Sequence, residues 1–126
     1  MLIRNILEES ARKFDEVKAV KWLNKKEIME RSYGELMENV GFTRKGLLAE
    51  GFEGKHIALI GTSSVEWMES YLGIITGCTT AVPLDAALPC EDLIDLLNRS
   101  DSVALFLSPK LRPYLDAFLE NCPKLQ

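Results

Sequence analysis

Lys55-His56-Ile57-Ala58-Leu59-Ile60-Gly61 is the first of three apolar runs that set the class of fold. The second is Thr79-Thr80-Ala81-Val82-Pro83-Leu84, and the third is Val103-Ala104-Leu105-Phe106-Leu107. Between them lie two amphipathic segments, about Val65 to Gly77 and Glu91 to Arg99. Short runs rich in Val, Ile, Leu and Phe, alternating with helical patterns, predict β-α-β-α-β, a parallel sheet with crossover helices. Each run is nearly continuous in its hydrophobicity, which is what a strand covered on both sheet faces requires. The expected class is therefore α/β, with residues 56–60, 79–84 and 103–107 as neighbouring parallel strands.

The flanking sequence adds helices and a hairpin. On the C-terminal side, Leu111, Tyr114, Leu115, Phe118, Leu119 and Cys122 recur at helical spacing, predicting a helix entered through Pro113 and ended by Pro123. On the N-terminal side, Asn5-Ile6-Leu7-Glu8 reads as a capping box for a short helix with Ile6, Leu7, Ala11 and Phe14 on one face. Val17–Leu23 and Glu27–Arg31 predict an antiparallel hairpin turning at Asn24-Lys25-Lys26. Val20 and Trp22 alternate with lysines there, so one face is wet and the hairpin should stand apart from the parallel sheet. Ser32-Tyr33-Gly34-Glu35 is a second capping box, starting a helix whose buried stripe is Leu36, Val40 and Leu47, with Met37 and Leu48 beside it. Ser63 and Glu66 suggest a third, before the rows Trp67-Tyr71-Ile74 and Met68-Leu72-Ile75. Gly73 and Gly77 within that helix predict close packing of backbone.

At 126 residues the chain is one domain at most. A hydrophobic content of 47%, beside 27% charged residues, is that of an ordinary globular domain. The formal charge of −4, with basic residues scattered, gives no general attraction to nucleic acid or anionic membranes. Ser70 to Leu84 is the longest uncharged stretch, too short for a membrane span and split by glycine and proline. The start lacks an apolar signal core. Cys78, Cys90 and Cys122 are odd in number and without metal-ligand spacing, so reduced thiols in a cytoplasmic protein are expected.

No catalytic motif emerges from the residues themselves. The turn after Ile60 joins a strand to a helix start, where phosphate can bind, and Asp85 ends the next strand, where a dinucleotide site keeps an acid. Only Gly61 of G-x-G-x-x-G is present, however, and Glu66 opposes an anion; a self-capped packing helix is the cheaper reading. His56, the sole histidine, has no assignable nucleophile or acid partner. Gly61-Thr62-Ser63-Ser64-Val65 lacks the second glycine of a serine nucleophile elbow. Asp85, Glu91 and Asp92 read as a solvated helix start rather than a metal site. Trp67 and Tyr71, one helical turn apart, read as core.

Three stretches taken together resemble the beginning of an adenylate-forming enzyme of the AMP-binding superfamily. Ser32-Tyr33-Gly34-Glu35-Leu36 is similar to the family's T/S-Y-x-E-L helix start. Gly54-Lys55-His56-Ile57-Ala58-Leu59-Ile60-Gly61-Thr62-Ser63-Ser64-Val65-Glu66-Trp67 is similar to its G-D-x-V-A-I-x-x-x-N-S-x-E-W segment. Leu72-Gly73-Ile74-Ile75-Thr76-Gly77, continuing through Ala81-Val82-Pro83-Leu84, is similar to its L-G-I-x-x-A-G-A-V-x-V-P-L run. Leu84-Asp85 and Leu97-Asn98-Arg99-Ser100 look most like long-chain acyl-CoA synthetases. Lys55, His56 and Ser63 depart from the usual residues.

The resemblance covers about Asn5 to Pro123. It implies a parent that activates a carboxylic acid, such as a fatty acid, with ATP and Mg²⁺ and passes the acyl-adenylate to a thiol, commonly CoA. The Ser/Thr/Gly-rich phosphate loop with its lysine is not found in these residues. The expectation is therefore an N-terminal portion of a longer ligase, residues 1–126 of its large domain. It should be inactive alone, with no catalytic, cofactor-binding or metal-binding residue to assign, and should self-associate through Leu111, Leu115, Phe118, Leu119 and an uncovered strand edge. Two alternatives stand beside it: a self-sufficient doubly wound nucleotide-binding or regulatory module, and a scaffold domain without ligase chemistry. The reading frame after Gln126 separates them.

Overall fold

The computed structural model describes residues 2–126. Helix α1 (Ile3–Lys13) leads into a hairpin of β1 (Lys18–Asn24) and β2 (Glu27–Ser32). Then come α2 (Tyr33–Ala49), β3 (His56–Ile60), α3 (Val65–Ile75), β4 (Thr80–Leu84), α4 (Cys90–Arg99) and β5 (Ser102–Leu107). A 3₁₀ segment (Pro109–Tyr114) and α5 (Leu115–Asn121) complete the chain. β3 is central, parallel to β4 on one side and β5 on the other, giving the order β4-β3-β5. The hairpin forms its own antiparallel two-stranded sheet, as the alternation of lysines with Val20 and Trp22 predicts.

Two layers of side chains hold the parallel sheet. Ala58 and Ile60 point to one face, where they pack with Leu93, Leu97, Phe118 and Cys122 of α4 and the C-terminal segment. Ile57 and Leu59 point to the other, against Leu47, Phe52 and Ile74. This alternation within one continuous apolar run is the double burial that the sequence pattern implies. Helices α2 and α3 approach closely because Gly73, and Gly77 in the turn just past the end of α3, carry no side chain. A Cβ on Gly73 would lie 2.5 Å from Thr43 Cβ, and one on Gly77 would lie 2.8 Å from Arg44 Cγ.

Several boundaries differ from the sequence expectation for identifiable reasons. Helix α1 begins at Ile3 with Leu2 as its N-cap and no side-chain cap bond, so Asn5 lies inside the first turn rather than capping it. None of its residues is buried; Ile6 is 47% exposed, and Phe14, its C-cap, 51%. The cap of α3 is Ser64, whose Oγ accepts from the Trp67 amide at 3.1 Å, and not Ser63 with Glu66. The tandem serines allow either register, and the later one places Val65 inward. Pro113 does not open a long helix but sits within the 3₁₀ segment. One turn of i, i+3 spacing fits 3₁₀ and α geometry alike, and the α-helix starts only at Leu115. Of the apolar residues expected to be exposed there, Leu119 is 58% and Leu115 36% exposed, whereas Phe118 is fully buried.

Candidate functional site

Chain order and sheet order together create one crevice. From β3 the chain crosses through α3 to β4 on one side, then returns through α4 to β5 on the other. The strand ends of β3 and β5 therefore lead away to opposite faces, and a gap opens between them. Such a switch in strand order is where open α/β sheets bind ligands. A cavity of about 440 Å³ lies there, lined by the ends of β3 and β5 and the first two turns of α3.

The floor of the crevice is held by backbone. The Ser108 amide donates to the Ile60 carbonyl at 2.9 Å, tying the two strand ends together. Gly61 follows at once, and a Cβ there would lie 3.3 Å from Ser108 Cβ and 3.5 Å from Trp67 Cδ1. Trp67 is fixed by stacking on Tyr71, ring centroids 5.2 Å apart and planes 10° from parallel. Phe106, Leu107 and Pro109 supply the apolar wall, and Thr62, Ser64, Ser70, Ser108 and Glu66 the polar one. Ser64 Oγ is committed to its cap, which leaves Thr62, Ser70 and Ser108 as hydroxyls able to turn toward a ligand.

The residues singled out in the sequence are dispersed. His56 is exposed at the opposite end of β3, with Nδ1 2.7 Å from the Ser100 carbonyl. Asp85 is exposed and its Oδ1 accepts from the Ala87 amide at 2.9 Å, an ordinary turn. Glu91 and Asp92 stand in the first turn of α4. Among the described residues no three His, Cys, Asp or Glu side chains converge to hold a metal ion. All three cysteines are free thiols; burial, with Cys90 nearby, pushes the Cys122 thiol above its ordinary pKa. Trp67 and Tyr71 are packed against the core, and Trp67 also lines the crevice.

One buried pair was not readable from sequence. Glu69 on α3 is 6% exposed, and its Oε1 accepts from Arg31 Nη2 of β2 at 3.3 Å. The Arg31 guanidinium also lies over the Trp22 ring, 5.4 Å from its centroid. Arg31 Nε and Glu69 Oε2 have no hydrogen-bond partner. The pair fastens the hairpin to the α/β body; nothing places it in contact with the crevice.

The groups lining the crevice do not fit a triphosphate. Among the described residues no lysine or arginine lines the crevice, a carboxylate does, and the helix-start serine is spent on its own amide.

Among solved structures, coronafacic acid ligase from Pectobacterium brasiliense, in a mutant form, matches with a TM-score of 0.89 and 21% identity. The match covers 99% of this chain and 24% of that one. The N-terminal domain of FACL13 from Mycobacterium tuberculosis matches with a TM-score of 0.87 and 19% identity, over 100% of this chain and 33% of that one. A fatty acyl CoA synthetase from the same organism matches with a TM-score of 0.82 and 21% identity, over 95% and 24%. The chain thus spans between about a quarter and a third of the lengths of these structures, and at such identities they establish the fold alone. No curated protein matches the sequence. The sequence pattern of the AMP-binding enzymes matches residues 7–125, and with that span covered the chain belongs to the AMP-binding enzyme family.

Proposed function

We propose that this chain is the N-terminal part of the large domain of an ATP-dependent ligase. The complete enzyme activates a carboxylic acid, a fatty acid foremost, as its acyl-adenylate and transfers the acyl group to CoA in the cytoplasm. The observation that carries this reading is the family match over residues 7–125. The fold agrees with it, and two of the structural neighbours are named for ligase and fatty acyl CoA synthetase activity. The 126 residues alone perform no adenylation, because triphosphate binding needs convergent amides and a cation to offset phosphate desolvation.

Two measurements test this. Calorimetry of the 126-residue chain with Mg-ATP, alone and with a panel of carboxylic acids, is expected to show no binding. Pyrophosphate release by the protein encoded by the whole reading frame, screened over acyl lengths, is expected with fatty acids. Micromolar ATP affinity in the 126 residues would instead favour a self-sufficient nucleotide module. A whole protein silent with every carboxylate would favour a scaffold without ligase chemistry.

A further inference from the structure

We propose that the crevice between the ends of β3 and β5 is a binding site for an uncharged ring compound carrying an N–H or amino donor. The argument starts from shape. The cavity of about 440 Å³ falls within the roughly 300–1,000 Å³ of small-molecule sites. It also stands at the switch in strand order, where the fold leaves a gap that its own helices cannot close. Its opening depends on Gly61, the position at which any side chain would reach Ser108 and Trp67.

Charge then selects the ligand. The lining includes Glu66 and no lysine or arginine, so an anion entering it meets repulsion without compensation. An uncharged ring meets Phe106, Leu107, Pro109 and Trp67 as apolar surface. Its donor hydrogens find the Glu66 carboxylate, and Thr62, Ser70 and Ser108 can each accept or donate. The wall is pre-organised, since the Trp67 ring is held by Tyr71 and the strand ends by the Ser108–Ile60 hydrogen bond. Little ordering is then left for the ligand to bring about.

This site does not rest on the ligase reading. ATP carries its charge on the phosphates that the crevice rejects, so absence of Mg-ATP binding leaves the present proposal standing, and a whole protein that releases no pyrophosphate does not touch it.

The test is a titration of the ¹⁵N-labelled 126-residue chain followed by amide shifts. Adenosine and indole serve as uncharged probes, AMP and benzoate as anionic ones. Adenosine and indole are expected to move the amides of Thr62, Trp67, Ser70 and Ser108 in a saturable way, while AMP and benzoate leave them in place. Gly61→Ala, which narrows the floor, and Ser70→Leu, which fills the rim, are each expected to abolish the response; either suffices if the other fails to fold. Glu66→Gln is expected to weaken adenosine by about fivefold, the loss of one charge-assisted hydrogen bond, and to admit AMP. Absence of saturable shifts with both uncharged probes overturns the proposal. Anions binding as well as their uncharged counterparts overturn the ligand class, and shifts that survive both blocking variants overturn the location.

Discussion

Gly73 and Gly46 both interrupt helices, and they differ in what a methyl group would touch. Thr43 Cβ and Cγ2 lie 2.5 Å from a Cβ built on Gly73, with the Val40 carbonyl at 3.2 Å. Nothing lies within 4 Å of one built on Gly46. Gly73→Ala is therefore expected to lower stability by about 1–3 kcal/mol through overpacking of α2 on α3. Gly46→Ala should raise it by about 0.5–1 kcal/mol through helix propensity and a less flexible unfolded chain. Urea midpoints of the two variants check both signs, and equal shifts in one direction would contradict the packing argument. The close approach at Gly73 could be anticipated because Gly73 sits between the apolar rows of α3, with Gly77 one turn further on, just past the helix end. Glu69 could not. Sequence shows it as a charge between apolar rows, and its partner Arg31 lies 38 residues away on a hairpin whose docking no local pattern specifies. The consequence for α3 is that its most buried row is Val65, Glu69 and Gly73, with Ile74 beside it, rather than the all-apolar rows that periodicity suggested.

The helix starts show how much of an element its own residues determine. At α2 both halves of the capping box are present: the Ser32 hydroxyl accepts from the Glu35 amide and the Glu35 carboxylate from the Ser32 amide, each at 3.1 Å. Here the sequence signature was sufficient, because a single serine lies three residues before a glutamate and no second register competes. At α3 two adjacent serines compete, and tertiary packing of Val65 chooses Ser64. Ser64→Ala is expected to cost about 1 kcal/mol and Ser63→Ala close to nothing, because only the former leaves the Trp67 amide without its acceptor. Thermal unfolding of the two single variants decides this, and a larger loss for Ser63→Ala would restore the earlier register. The strands were legible for a simpler reason. A short apolar run between turn residues has few alternatives, and β3, β4 and β5 fall within a residue of the runs that announced them. The crevice was not, since its lining comes from two strand ends and a helix that only the order β4-β3-β5 brings together.

At the scale of the whole molecule the parallel sheet presents two edges, β4 and β5, and they are protected unequally. Thr80 donates its amide toward β3, to the Lys55 carbonyl, so by the alternation of a strand the amides of residues 81 and 83 face outward on β4. Residue 83 is proline, and the missing N–H falls on the outer edge, where it blunts pairing with another strand. On β5 the Ser108 amide points toward β3, which turns the backbone groups of Val103, Leu105 and Leu107 outward. The Val103 carbonyl accepts from the Gln126 amide at 2.8 Å, while β5 has no strand beyond it in the sheet. Leu105 and Leu107 thus offer an apolar edge without proline or charge. We expect the 126-residue chain to self-associate there by antiparallel pairing of two β5 edges, with Phe106 facing its symmetry mate and Leu105 opposite Leu107. Exposed Leu115 and Leu119 on the neighbouring α5 add apolar surface. Sedimentation over a concentration series should show monomer–dimer exchange. Leu105→Pro, which removes an outward N–H and no ladder bond within the chain, should leave a monomer with its circular dichroism unchanged. A chain that stays monomeric throughout, or a Leu105→Pro variant that dimerises as strongly as the parent sequence, would show that this edge is not the contact.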